Sequence, residues 1–208
     1  MARMFIISGC NGAGKTTASY TMLPDLLGCD EYVDADEIAK SIAPDNPQQA
    51  ALRASRLMME RVEELMGKGK DFGLETTLST RSLVRTINLA KSRGYSVTLV
   101  YLWLRTPDMA VERVRKRYEA GGHSIPEETI RRRYNVGIDN LIRLYIPASD
   151  NWIIFDNSMP ETKVIARGSP TTETEVLNAK LYAKLLDNFR ASGESKEDNC
   201  YLRTQNEL

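Results

Sequence analysis

Along the chain, short apolar runs alternate with longer segments in which apolar residues recur at helical spacing. The runs are MFIIS (4–8), EYVDA (31–35), FGLET (72–76), YSVTLVYLWL (95–104) and NWIIFD (151–156). Strands buried on both faces read as continuous apolar stretches of this length, and strands that alternate with helices form parallel sheets. Helices are expected near 15–27, 36–43, 48–67, 80–93, 107–120 and 125–146, punctuated by Pro24, Pro47, Gly94, Pro107 and Pro147. The pattern predicts one α/β domain, a five-stranded parallel sheet with helices on both faces. KVIARG (163–168) suits an added edge strand. Beyond it, Val176, Ala179, Ala183, Leu186 and Phe189 mark a docked terminal helix. The expected domain is 1–190, and the polar stretch 191–208 reads as a flexible tail.

The 208 residues suffice for one domain with a buried core, and 42% apolar with 27% charged residues is the mix of a globular protein. Lys+Arg and Asp+Glu balance at 28 each, so no net field draws the chain to nucleic acid or an anionic membrane; nucleic acid is therefore an unfavoured partner. Cys10, Cys29 and Cys200 stand far apart and there is one histidine, which points neither to a zinc site nor to a disulfide framework. No apolar stretch reaches eighteen residues and the N-terminus passes straight into a strand, so a cytoplasmic protein is expected, with no membrane partner.

GCNGAGKT, Gly9 to Thr16, matches G-x-x-x-x-G-K-[ST] and falls where its chemistry requires, between a strand and a helix. Backbone amides of Gly9, Cys10, Asn11, Gly12, Ala13 and Gly14, with those of the helix start through Thr17, can turn toward phosphate oxygens. Lys15 can reach the β- and γ-phosphates, and the Thr16 hydroxyl can ligate Mg²⁺. A P-loop predicts nucleotide binding without saying what the nucleotide is for. In an open α/β sheet the ligand lies beyond the carboxyl ends of the strands, so polar residues there carry the rest.

VDADEIA places Asp34 and Asp36 at the second strand end. Phosphoryl transfer to an alcohol needs one carboxylate within reach of the acceptor hydroxyl, and Asp36 is the candidate base; its alternative role is a helix N-cap. Glu75, Thr76, Thr77, Ser79 and Arg81 follow the third strand, a group suited to a polyhydroxylated acceptor, with Ser79 or Thr80 alternatively capping the next helix. Glu75 stands out, because a carboxylate at the inner end of a buried strand is costly unless paired. In the segment from Pro107, Val111, Val114 and Tyr118 form the apolar stripe, leaving Arg113 and Arg117 one turn apart on its flank, poised for phosphate or for solvent. Gly121 and Gly122 permit a hinge, and Ser124 with Glu127 has capping-box spacing. In the helix that follows, Arg131 and Arg133 flank the core face and Arg132 points away.

The P-loop, VDADEIA, ETTLS, GY before a long strand, GGHSIPEETIRRRY and FDNS, in this order, resemble the zeta-toxin family of P-loop kinases, especially its short single-domain members. The resemblance spans about residues 4–168. It implies a nucleoside-monophosphate-kinase-like fold with a small lid near 119–127, and ATP/Mg²⁺-dependent phosphorylation of the 3′-hydroxyl of UDP-N-acetylglucosamine. By position, Lys15 and Thr16 match the P-loop pair, Asp36 the catalytic base, and Glu75 a substrate-binding acid. Arg113 and Arg117 both fit the first lid arginine. His123 stands where the family has its second, so either His123 donates to the phosphate or Arg132 or Arg133 replaces it. The P-loop begins at Gly9, so no inhibitory module is expected ahead of it, and restraint of a toxic activity would fall to an antitoxin protein or the C-terminal segment. The readings carried alongside are a nucleotide-dependent switch or ATPase regulated by a protein partner, and a kinase of another small alcohol or a polynucleotide.

Overall fold

The computed structural model describes residues 1–25, 28–122 and 124–204, with side chains described for 1–21, 28–122 and 124–192. The elements run β1 (Arg3–Ser8), α1 (Lys15–Asp25), β2 (Tyr32–Val33), α2 (Ala35–Ile42), α3 (Pro47–Gly67), β3 (Phe72–Thr76), α4 (Leu83–Ser92) and β4 (Ser96–Trp103). Then follow α5 (Pro107–Glu119), α6 (Glu127–Asn140), a π-helical turn (Leu141–Tyr145), α7 (Ile146–Ala148), β5 (Asn151–Asp156), β6 (Lys163–Gly168), β7 (Glu175–Val176) and α8 (Ala179–Thr204). The sheet order is β2-β3-β1-β4-β5-β6-β7. The first five pair in parallel, as their apolar runs predict, whereas β6 and β7 join antiparallel. The expected edge strand at 163–168 is β6, and β7 extends the sheet one strand further.

β1 lies between β3 and β4 and is buried over nearly its whole length. The chain builds β2 and β3 on one side of it and β4 to β7 on the other, so the strand order reverses at the carboxyl end of β1. That crevice is the ligand position of doubly wound folds. Met58, Val62, Leu65 and Met66 of α3 bury one helical stripe in the main core, while Ala50 and Ala54 meet Ala39 of α2 in a small satellite cluster. Among the described residues no helix is long and apolar enough to cross a membrane.

Three expectations shift. Val176 belongs to β7 and is exposed, and the inner face of α8 is set by buried Leu185, with Leu181, Tyr182 and Phe189 packed beside it. Tyr118 is exposed, so the inner face of α5 consists of Ala110 and Val114. The backbone of 191–204, read as a polar tail, continues α8.

The segment between β3 and α4 is held from α6 and the π-helical turn. Leu78 takes a left-handed backbone conformation (φ 55°), which strains any residue with a Cβ. Buried Asn140 donates from Nδ2 to the Leu78 carbonyl (2.7 Å), Leu78 N–H donates to Thr76 Oγ1 (3.1 Å), and the Tyr145 phenol donates to the Thr80 carbonyl (2.5 Å). Asn140→Ala should therefore lower unfolding free energy by about 1–3 kcal/mol, the range for orphaning a buried carbonyl, seen in urea titration as a lower midpoint at unchanged slope. An unchanged midpoint would show that Leu78 holds its conformation without this bond.

Candidate active site

β1 leaves the sheet at Gly9, where φ is +146° and a Cβ would lie 2.4 Å from the Leu102 carbonyl oxygen. Glycine is required there by both space and conformation. At Gly14 (φ +86°) a Cβ would meet Asn157 Nδ2 at 2.6 Å. That amide donates to the Ala13 carbonyl (2.7 Å), so the segment after β5 braces the loop. Cys10 faces the core, and burial pushes its thiol up to about 11 despite the opposing charge of Lys15. The loop delivers the chain into α1 with Lys15 buried and Thr16 exposed in the first turn.

Glu75, at the end of β3, gathers this corner. Thr16 Oγ1 donates to Glu75 Oε2 at 3.0 Å, the Tyr32 phenol donates to the same oxygen at 2.6 Å, and Lys15 Nζ lies 3.5 Å from Oε1. Lys15 also donates to the Cys10 carbonyl (3.1 Å). The carboxylate sequence reasoning marked as needing a partner thus has three. The hydroxyl of Thr16 and the carboxylate of Glu75 form a donor pair that suits Mg²⁺, which takes few protein oxygens and completes its shell with water and phosphate.

The two aspartates after β2 divide their roles. Asp34 is the N-cap of α2, accepting from the Asp36 amide at 2.9 Å. The capping alternative considered for Asp36 is thus filled by Asp34, and the Asp36 side chain lines a cavity of about 550 Å³ with Lys15, Glu75, Thr76, Thr77 and Arg133. Burial, and next the Glu75 charge, raise the Asp34 carboxyl to about 7. The phenol of Tyr32 is pushed up by burial and by Glu75.

Of the arginines, Arg133 reaches the P-loop, donating from Nη1 to Asn11 Oδ1 (3.2 Å). Burial first and Arg132 second lower its pKa, with Asp36 opposing. Arg132 is exposed, and Arg131 pairs with Asp108 (2.6 Å) and Glu127 (2.8 Å) on the surface. Arg113 docks on the opposite side of the loop, donating to the carbonyls of Gly12 (3.5 Å) and Ser158 (3.1 Å). Arg117 is exposed. His123 lies outside the described residues. Thr17 is exposed on α1.

Other sequence expectations move. Arg81 is exposed and does not line the cavity; Arg85, one turn on, does. Neither Ser79 nor Thr80 caps α4, which starts after Ser82, because left-handed Leu78 lengthens the loop; Ser79 instead bonds the Thr77 hydroxyl (2.8 Å). The capping box of Ser124 and Glu127 does not form: Pro126 precedes α6 without a side-chain cap, and Glu127 turns to Arg131. Tyr32, Arg85 and Asn157 were not singled out. Only the position of Asn157 just past a strand end hinted at a role.

Residues 4–135 match the AAA domain family model, more than half of the 208-residue chain. The chain belongs to this AAA domain family. Its P-loop, Asp34, Asp36 and Glu75 all fall inside the match, as does Arg133 near its end. An uncharacterized protein of Haemophilus influenzae is 31% identical over 126 residues, 61% of this chain and 88% of the relative. Among solved structures, the AvrRxo1-ORF1:AvrRxo1-ORF2 complex with sulphate ions superposes with a TM-score of 0.70 at 21% identity, over 89% of this chain. The chain spans 63% of that neighbour's length. A structure of the PezAT chromosomal toxin-antitoxin system of Streptococcus pneumoniae gives 0.63 at 17% identity, covering 93% of this chain and 88% of the other. At these identities the structural likenesses establish the fold, a P-loop NTPase, for this member of the AAA domain family.

Asp34 predicts a pH dependence. A carboxyl whose folded pKa lies above the unfolded value stabilises the fold fully below the unfolded pKa and loses that contribution as pH rises through the folded one. The wild type should therefore lose stability against Asp34→Asn, which keeps the capping oxygen, between about pH 4 and pH 7, by more than about 1 kcal/mol in denaturant titrations. Parallel pH curves would show that Asp34 is ionised in the fold.

Proposed function

We propose that this protein is an ATP/Mg²⁺-dependent kinase that transfers a γ-phosphoryl group to the hydroxyl of a small molecule. The observation that carries the reading is Asp36: relieved of capping by Asp34, it faces a cavity shared with Lys15 and Arg133. In this reading the P-loop amides and Lys15 hold the ATP phosphates, and Arg133 meets charge on the transferring group from α6. Asp36 orients the acceptor hydroxyl and takes its proton, while Thr76 and Thr77 offer hydroxyls to the acceptor. Thr16 and Glu75 would hold Mg²⁺, which neutralises phosphate charge and orients the leaving group. Arg113, tied to the Gly12 and Ser158 carbonyls, positions the loop.

The order of motifs that resembles the zeta-toxin family supports a nucleotide sugar as acceptor, UDP-N-acetylglucosamine first, with transfer to its 3′-hydroxyl. The similar solved structures include AvrRxo1-ORF1:-ORF2 with ATP, at 21% identity and a TM-score of 0.68, and the PezAT toxin-antitoxin system. They support ATP as the donor and an antitoxin protein as partner. A cytoplasmic location completes the proposal.

Incubation with Mg-ATP and a panel of UDP-sugars, nucleosides and sugars, read by mass spectrometry, should show one acceptor gaining one phosphate. Asp36→Asn should lower kcat by about 10²–10⁴-fold, the worth of a positioned general base, with ATP affinity unchanged. No phosphorylated UDP-sugar would remove that acceptor class, and none in the whole panel would remove the kinase reading. ATP turnover without acceptor, undiminished in Asp36→Asn, would instead mark a nucleotide-dependent switch.

A further inference from the structure

Glu75 has three partners, and the proposed reaction calls on two of them. Lys15 Nζ, 3.5 Å from Oε1, is the group that reaches phosphate, and Thr16 Oγ1, which donates to Oε2 at 3.0 Å, is the group that meets the metal ion. The Tyr32 phenol, which donates to the same Oε2 at 2.6 Å, has no such task. Its side chain does not line the cavity, so a molecule entering there does not take it from Glu75. A carboxylate that ligates a metal is ordinarily held in place by a hydrogen bond from a neighbour. Each carboxylate oxygen accepts from two directions, so the phenol occupies one and leaves the other, on the Thr16 side, open to exchange.

The bond is built into the sheet. Tyr32 on β2 stands in register with Gly73 on β3, and Glu75 follows two residues on, on the same face. Gly73 puts no side chain between the ring and the carboxylate. The half-buried ring also packs against Tyr20 of α1, with centroids 6.1 Å apart and planes tilted by 58°, and the Tyr20 phenol donates to Glu37 Oε1 of α2. The sheet and α1 thus fix the Tyr32 ring, with α2 tied to the same corner. Phenylalanine at 32 would keep this packing and lose only the donor.

We infer that Tyr32 is a positioning residue for the metal site, holding the Glu75 carboxylate in the orientation that pairs it with Thr16 after Lys15 has turned to the nucleotide. The inference rests on the reading of Thr16 and Glu75 as the Mg²⁺ donors, and metal affinity tests it without any transfer reaction. With the protein in excess over AMP-PNP, electron paramagnetic resonance would measure the affinity of the complex for Mn²⁺ as the probe metal. Tyr32→Phe should raise the Mn²⁺ dissociation constant about ten-fold or more, with the far-UV circular dichroism spectrum unchanged. Added to Glu75→Ala, the same substitution should change the constant by less than about two-fold, because the phenol acts only through that carboxylate. An unchanged constant in Tyr32→Phe, or an equal loss with and without the carboxylate, would overturn the assignment and leave the metal reading standing. A wild-type complex that binds Mn²⁺ no more tightly than free AMP-PNP does would remove both. If Tyr32→Phe does not fold, a crystal structure of the wild type with Mn²⁺ and AMP-PNP decides: the phenol should still donate to Glu75 while Lys15 Nζ has moved to phosphate, and a phenol turned away from Glu75 would overturn the assignment.

Discussion

The central strand can leave this sheet only through glycine. Between β3 and β4, the Gly9 N–H donates to the Thr76 carbonyl (3.3 Å), and a Cβ would fall against the Leu102 carbonyl. Backbone on both sides thus sets the origin of the P-loop. Because the same crevice receives the ends of β2 and β3, Asp34, Asp36 and Glu75 arrive around the first turn of α1 as a consequence of strand order. α6 closes over the loop from the far side of the sequence, carrying Arg133 to Asn11.

That convergence creates an electrostatic problem which the fold resolves in part. Three carboxylates (Asp34, Asp36 and Glu75) and three cations (Lys15, Arg85 and Arg133) line one cavity. Glu75 is satisfied by Lys15, Thr16 and Tyr32, and Asp34 by the amide at the start of α2. Asp36 and the outer face of Arg133 are left to act on what enters. A nucleotide phosphate, in the proposed reading, would compete with Glu75 for Lys15, and a metal ion at Thr16 would give that carboxylate a different counter-charge, so the resting contacts are of the kind a ligand can exchange. Exposed Arg85 borders the cavity from the α4 wall.

Much of this was legible in the sequence, for identifiable reasons. The five parallel strands read as continuous apolar runs because both faces are covered, and the P-loop read as such because glycine, lysine and threonine stood at a strand-to-helix junction. β7 did not read, since its two residues are exposed and pair only at an edge. The face of α8 was misplaced because Val176 fits a helical stripe in period but precedes the helix. At the site, the D-x-D spacing showed two acids without showing which one caps. A cap is decided by where φ and ψ turn helical, and the turn comes at Ala35. Arg81 was singled out and Arg85 was not for the same kind of reason: left-handed Leu78, invisible in composition, delays the start of α4, and exposed Arg85 is the arginine that borders the cavity. Arg133 was legible as one of two successors to a missing lid arginine, and burial against Asn11 separates it from exposed Arg132.

The account's central claim is that Asp36, and not Asp34, faces the phosphoryl group held by the P-loop. A crystal structure with Mg²⁺ and a non-hydrolysable ATP analogue measures this directly. The account predicts the γ-phosphorus between Lys15 and Arg133, with the Asp36 carboxylate about 6 Å from it, the sum of one hydrogen bond to an acceptor hydroxyl and an in-line approach. An Asp36 side chain folded back to cap α2, or a γ-phosphate directed away from the cavity, would contradict it.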